Sequence, residues 1–237
     1  MNPARLLEVW EQAATQSPVR RAVVLGGLAR PDLEVATIAE LPLGVRDAAL
    51  LRLRRELFGD RCTCLTDCPV CRLELEFSLS VAELLTQGRE AVAPIWLDAG
   101  SHRVHLRPPN STDLQALVAL GGADFQELLL QRCILAAEPP LDLQVGLSES
   151  VVRRLADALE ATDPLSVIWI ELNCEGCSHA WHAQFDIAHL LWSELDRWAG
   201  EMLDGVARLA SAFGWSERDI LAMSPSRRQR YLELASG

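Results

Sequence analysis

Two cysteine pairs constrain this chain more than any other feature. Cys68-Pro69-Val70-Cys71 and Cys174-Glu175-Gly176-Cys177 stand about a hundred residues apart in a chain of 237. Two residues between cysteines let both sulfurs of one tight turn face one ion. Two such turns complete a tetrahedral four-sulfur set at about 2.3 Å per bond. The expected ligands of a structural Zn2+ are therefore Cys68, Cys71, Cys174 and Cys177, and the fold must bring the two pairs together. Each pair adjoins a strand signal. Leu73, Leu75, Phe77 and Leu79 alternate with polar residues after the first pair, and Val167 to Leu172 precedes the second, with Ala180 to Ile187 as its partner. This is the layout of a zinc ribbon whose central segment leaves and returns at the metal. Neither pair opens a helix after a strand, as a thioredoxin-type redox pair does.

The other metal-binding residue types have weaker claims. The cysteines number seven, an odd count, which in a cytoplasmic chain points to metal before disulfides. Cys62 and Cys64 read as spare thiols in a loop, and Cys133 as a small core residue of a helix. His179 follows the second knuckle and His182 lies on the polar face of a strand. Both rank below the four cysteines as ligands.

The remaining patterning predicts an α+β fold, with helical N- and C-terminal segments around a small zinc-ribbon-like β core and a long insertion between the knuckles. The expected division is 1–60 helical, 61–187 β core with a helical insertion at about 110–165, and 188–237 helical. Asn2-Pro3 and Ser17-Pro18 are helix starts, and Gly26-Gly27 is read as the end of the second helix. A third helix is expected from Asp47 to Phe58 with Gly59 as its cap. A β-hairpin is expected from Ile95 to Leu106, a helical stretch from Asp113 to Leu135 broken near Gly121-Gly122, a loop from Pro139 to Gly146, and a helix from Ser150 to Glu160. Ile187, Leu191, Leu195, Trp198, Met202, Val206, Leu209 and Phe213 form the stripe of a long helix ending at Gly214. Ser216-Glu217-Arg218-Asp219 resembles a capping box, with Trp215 and Ile220 as its hydrophobic staple. The seven tryptophans are assigned mostly to the core by periodicity. Arg103, His105 and Arg107 share a strand face read as solvent-facing, and Arg227, Arg228 and Arg230 are expected to complement a helix C-terminus.

Charge and motif absences narrow the function. The net charge is −11, and every one of the 22 basic residues is arginine. An acidic chain is poorly suited to sequence-independent nucleic-acid binding, which needs phosphate neutralisation. No stretch approaches the roughly 20 apolar residues of a membrane span, and no signal-peptide core follows Met1. A cytoplasmic location without membrane insertion is expected. The sequence has no H-E-x-x-H, no zinc-deaminase signature, no phosphate loop, no G-x-G-x-x-G and no G-x-S-x-G. A closed four-cysteine site leaves no position for a catalytic water. The chain is therefore read as non-enzymatic, with no catalytic residue and no small-molecule substrate.

Several segments together carry a resemblance. Leu41-Pro42-Leu43-Gly44-Val45-Arg46-Asp47 leads into an arginine-rich helix ending Leu57-Phe58-Gly59. The Asp67-Cys68-Pro69-Val70-Cys71 knuckle follows, then Leu106-Arg107-Pro108-Pro109 with Asp113-Leu114, and Trp181 with Phe185-Asp186-Ile187. The chain closes with Phe213-Gly214-Trp215-Ser216-Glu217, Ser224-Pro225, Arg227-Arg228 and Tyr231-Leu232. This series resembles the T4-like baseplate family, the hub subunits and hub-assembly chaperones of contractile phage tails and tail-like injection systems. The resemblance implies a role in assembly, as chaperone or retained subunit, with other tail or baseplate proteins as partners. A zinc-ribbon adaptor binding nucleic acid or another protein complex is the alternative reading, and a zinc-dependent hydrolase a more distant one. The sequence departs from the usual knuckle at Arg72 and Ser178, where glycine often follows the second cysteine. That position commonly takes φ > 0, so both turns are expected to be slightly strained or differently shaped.

Overall fold

The computed structural model describes residues 2–120, 125–141 and 146–235. Its elements in chain order are α1 (Pro3–Ala14), α2 (Pro18–Ala29), α3 (Val35–Glu40), α4 (Leu43–Phe58), β1 (Arg61–Asp67), β2 (Glu74–Ser80), α5 (Val81–Leu85), β3 (Ile95–Ala99), β4 (His102–Leu106), α6 (Ser111–Leu120), α7 (Phe125–Cys133), β5 (Ile134–Glu138), α8 (Glu149–Thr162), β6 (Ile168–Asn173), β7 (Ala180–Phe185), α9 (Ile187–Phe213), α10 (Glu217–Leu221) and α11 (Pro225–Leu234). The architecture is mixed α+β. No described helix is long and apolar enough to cross a membrane. The chain divides into two compact units, Met1–Val24 with Ala188–Gly237, and Leu25–Ile187. The expected helical segment 1–60 is thus shared between the two.

The first unit is helical, and its ends follow local chemistry. The Asn2 side chain accepts from the Ala4 amide at 3.0 Å, with Pro3 opening α1. Leu7 packs into one cluster with Ala199, Val206, Leu209, Ile220 and Leu221. Gly214, at φ +70°, follows the last turn of α9. Ser216 Oγ accepts from the Asp219 amide at 3.2 Å and donates to the Asp219 carboxylate at 2.6 Å. The hydroxyl half of the expected capping box forms, but the shorter Asp219 carboxylate bonds the Ser216 hydroxyl in place of its amide. Trp215 and Ile220 join the same hydrophobic cluster. The arginines of α11 do not complement its C-terminus, because its last turn carries no basic residue. Arg227 lies over the Tyr231 ring, Arg230 pairs with Glu233 at 2.9 Å, and Arg228 is buried.

Among its described residues the second unit holds three antiparallel sheets: β1-β2, β3-β4-β5 and β6-β7. Against the three-stranded sheet, α7 and α8 close a core of Val104, Leu106, Leu130, Cys133, Leu155 and Leu159. Polar anchors surround the start of α4. The Asp163 carboxylate accepts from the Gly44 amide at 2.8 Å, Arg46 Nη1 donates to Ser111 Oγ at 2.8 Å, and the Leu43 amide donates to the Pro109 carbonyl at 3.0 Å. Any side chain at Gly44 would collide with Asp163. Buried Asp113 accepts both forks of Arg107, at 2.7 and 2.9 Å, and Arg132 Nε at 3.1 Å. The segments 41–47 and 106–114 therefore meet in one polar knot.

Several expectations are corrected. Gly26 does not end α2, which continues to Ala29. A Cβ there would come within 2.6 Å of Ile38 Cγ2, so the glycine permits close packing of α3. Helix α4 begins at Leu43, four residues before the expected Asp47. Asn110 Oδ1 accepts from the Asp113 amide at 3.0 Å, so this residue caps α6. The helical stretch ends at Cys133, because Ile134 pairs with Leu106 and the following residues extend the sheet. A free edge on β4 outweighs local helix preference there. The break at Gly121-Gly122 and residues 142–145 of the expected loop lie outside the described residues. Arg107 turns to Asp113 and not to solvent, while His105 stacks on Trp96 at 4.6 Å. None of the seven tryptophans is fully buried, and Trp96 and Trp169 are exposed. Trp is large enough that burying every edge is rare.

Candidate metal centre

Both cysteine pairs sit at hairpin tips. β1 and β2 pair from Arg61↔Ser80 to Asp67↔Glu74, leaving residues 68–73 as their connection. β6 and β7 pair from Ile168↔Phe185 to Asn173↔Ala180, leaving 174–179. The turns share one design. The Cys68 amide donates to the Leu73 carbonyl at 2.9 Å, and the Arg72 amide to the Cys68 carbonyl at 3.0 Å. In the second knuckle the Cys174 amide donates to the His179 carbonyl at 2.9 Å, and the Ser178 amide to the Cys174 carbonyl at 2.8 Å. Arg72 and Ser178 take φ +62° and +57°, the two positive-φ non-glycine residues among those described. The strain expected from the missing glycines is present in both turns and costs about 1–2 kcal/mol at each.

The four sulfurs converge. Cys68 Sγ lies 3.7 Å from Cys177 Sγ, and Cys71 Sγ 3.5 Å from Cys174 Sγ. All four lie within 4.8 Å of one another. Tetrahedral zinc with 2.3 Å bonds sets its sulfurs about 3.8 Å apart, whereas a disulfide needs about 2.0 Å. The donor set and spacing fit a four-thiolate metal site and do not fit disulfides. Cys68 and Cys174 are buried, while Cys71 and Cys177 face outward. A Cβ on Gly176 would reach Leu73 Cδ2 at 3.0 Å, so the second knuckle is packed tightly against the first.

Backbone dipoles and crowding split the thiol acidities. Burial opposes ionisation of Cys68, but the amides of Cys71 and Val70 and the thiols of Cys174 and Cys177 bring its pKa down to about 6. The His179 amide favours a Cys177 thiolate, yet burial and the three neighbouring sulfurs push it up to about 12. Crowded thiols cannot all ionise unless a cation shares their charge.

Among the described residues, these four form the one group of three or more Cys, His, Asp or Glu side chains able to hold a metal. His179 instead stacks on Trp181, their rings 6.0 Å apart, and His182 is exposed. Cys62 and Cys64 are not in a loop. They lie on β1 opposite Leu79 and Phe77, and Cys62 is buried. Strand β1 was missed because Cys and Thr alternate there without an apolar run. Cys133 is a core residue as expected, its thiol pushed up to about 12 by burial and the Asp113 charge. The polar knot around Asp113 was also missed, although Arg107-Pro108-Pro109 and Asn110 to Asp113 hold its parts. No family model, no curated protein and no solved structure matches the chain.

Proposed function

We propose that Cys68, Cys71, Cys174 and Cys177 hold one structural Zn2+, and that the protein is a non-enzymatic baseplate or hub-assembly factor of a contractile tail-like machine. The observation that carries the metal assignment is the closed set of four sulfurs contributed by two matching hairpin tips. Four protein ligands leave no open position for substrate or water, which favours a structural ion over a catalytic one. Bound there, zinc offsets half the charge of the four thiolates and ties the two ends of the intervening segment together. Elemental analysis of freshly purified, reduced protein checks this. One equivalent of zinc is expected, and its absence would refute the metal site.

The assembly role rests on the resemblance of the segments quoted above, with the exposed aromatic Trp169 offering contact surface. It acts through other tail or baseplate proteins, as a chaperone or a retained subunit. Affinity capture from cells assembling such particles is expected to recover sheath, tube or baseplate components. Recovery of ribosomal or DNA-bound proteins alone would sink this role and favour the nucleic-acid adaptor.

A further inference from the structure

In the helical unit, α9 and α11 border a cleft of about 420 Å3. Trp198 and Met202 of α9 and Leu232 of α11 give it apolar walls, and Gly205 leaves one side without a side chain. Arg228 lines the same cleft with only 7% of its surface exposed. Its guanidinium makes no hydrogen bond or ion pair with any described residue, and Nη1 is sealed from solvent without an acceptor. Glu201 lines the cleft too, but forms no ion pair with it. Burial alone acts on the ionisation of Arg228, lowering its pKa, with no anion to offset it.

An arginine remains charged in a protein, so a buried one without a counterion is a standing cost to the fold. Pro225 and Ser226 of the first turn of α11 also line the cleft, so the positive end of that ten-residue helix borders the same space. We infer that this cleft receives a glutamate or aspartate side chain from an acidic, apolar segment of a partner protein. Arg228 is its counterion, and Trp198, Met202 and Leu232 take the adjoining apolar side chain. A planar, singly charged carboxylate matches one guanidinium fork, whereas a doubly charged phosphate would meet Glu201 with a single cation to offset it. The cleft is an open groove that covers one side of its occupant. That suits a side chain delivered on a larger surface better than a free small acid, which needs most of its surface enclosed. The inference is independent of the metal centre and of the baseplate role.

The full chain, labelled with 15N, is titrated with acetyl-Ser-Leu-Glu-Leu-Ser-amide, its Gln counterpart, hexanoate and inorganic phosphate, following the Trp198 indole and Arg228 Nε resonances. The Glu peptide is expected to give saturable shifts, and the Gln peptide to bind at least about tenfold more weakly. Arg228→Met abolishes the shifts while its Tm equals or exceeds that of the parent, because an unpaired buried charge is gone. Met202→Glu keeps the arginine and supplies an internal carboxylate, so it also blocks the peptide and keeps the test decisive if Arg228→Met does not fold. Absence of saturable shifts, equal binding of the Gln peptide, or binding that survives either variant would overturn the inference. Tighter binding of hexanoate or phosphate than of the Glu peptide would assign the cleft to a free anion and equally overturn it.

Discussion

The cysteine hairpins and the three-stranded sheet belong to one unit and are held by different physics. β3, β4 and β5 pack against α7 and α8 and bury Leu106 and Leu155 completely. That region makes its own core. β1-β2 and β6-β7 are two-stranded ribbons, and such ribbons are marginal in water by themselves. Leu65, Val70, Leu73 and Trp169 are exposed on them, and both tips carry a strained residue. A ligand that binds the four sulfurs stabilises what apolar burial does not. The chain is long enough to need no staple for its core as a whole, so an ion held by these cysteines would act locally.

The comparison is most directly broken by removing the metal. Structural zinc in cysteine knuckles contributes an apparent 10–16 kcal/mol or so. Chelation, or Cys174→Ser, is expected to raise hydrogen exchange across β1, β2, β6 and β7 to near-unfolded rates. Exchange in β3, β4 and α8 should change little. A uniform rise through the whole unit would show that the two regions do not differ in this way. The converse variant is Leu155→Ala, which opens a cavity in the self-supporting core. A loss of about 2–5 kcal/mol is expected from chemical denaturation, with zinc content unchanged.

Acid separates the polar anchors next. Burial raises the Asp113 pKa, but hydrogen bonds from Arg107 and the Asn110 amide, with Arg132 adding to them, leave it below the ordinary value. Its folded pKa lies under its unfolded one, so its stabilisation is present above about pH 4 and is lost as pH falls. Asp113→Asn should cost about 1.5–3 kcal/mol at pH 7 and flatten the acid limb of a stability-pH profile. Asp47 has the opposite sign. Burial raises its pKa to about 6 against the pull of Arg46. Folding is therefore favoured below about pH 4, and that contribution is lost as pH rises to 6, by about 3 kcal/mol at most. Asp47→Asn should remove this slope, as read by denaturation at pH 4 and pH 6.5.

The smallest effect sharpens the contrast at the knuckles. Arg72→Gly or Ser178→Gly should relieve the positive φ and stabilise by about 1 kcal/mol. The gain should appear as slower zinc loss to a competing chelator, with no change in the exchange of β3 to β5. A faster loss would mean that side-chain contacts of Arg72 or Ser178 outweigh the strain.

Much of this was legible in the chain itself. Helix ends at Asn2-Pro3, Gly59, Gly214, Ser216 and Ser224-Pro225 follow local capping chemistry, and the hairpin at 95–106 follows its alternation. The four cysteines could be named because metal-ligand spacing is a short-range signal. Arg72 and Ser178 stood out because a knuckle commonly has φ > 0 there, and the structure decides for strain over a different turn shape. What failed depended on distant neighbours. Gly26 looked like a stop until Ile38 was placed against it. Ile134 and Leu135 continued a helical period until β4 offered an edge. Strand β1 had no apolar alternation, and only its pairing with β2 reveals it.

By itself, then, the sequence determined the capped helix ends, which four thiols form a set able to hold a metal and which two turns depart from the usual knuckle. Each depends on residues a few positions apart, whose geometry the backbone fixes. The tertiary structure decided which charges are satisfied. It gave Asp113 two arginines, gave Asp163 the Gly44 amide and left Arg228 buried without a partner among the described residues. Burial and pairing arise from contacts between segments far apart in the chain, and no local pattern of charges encodes them.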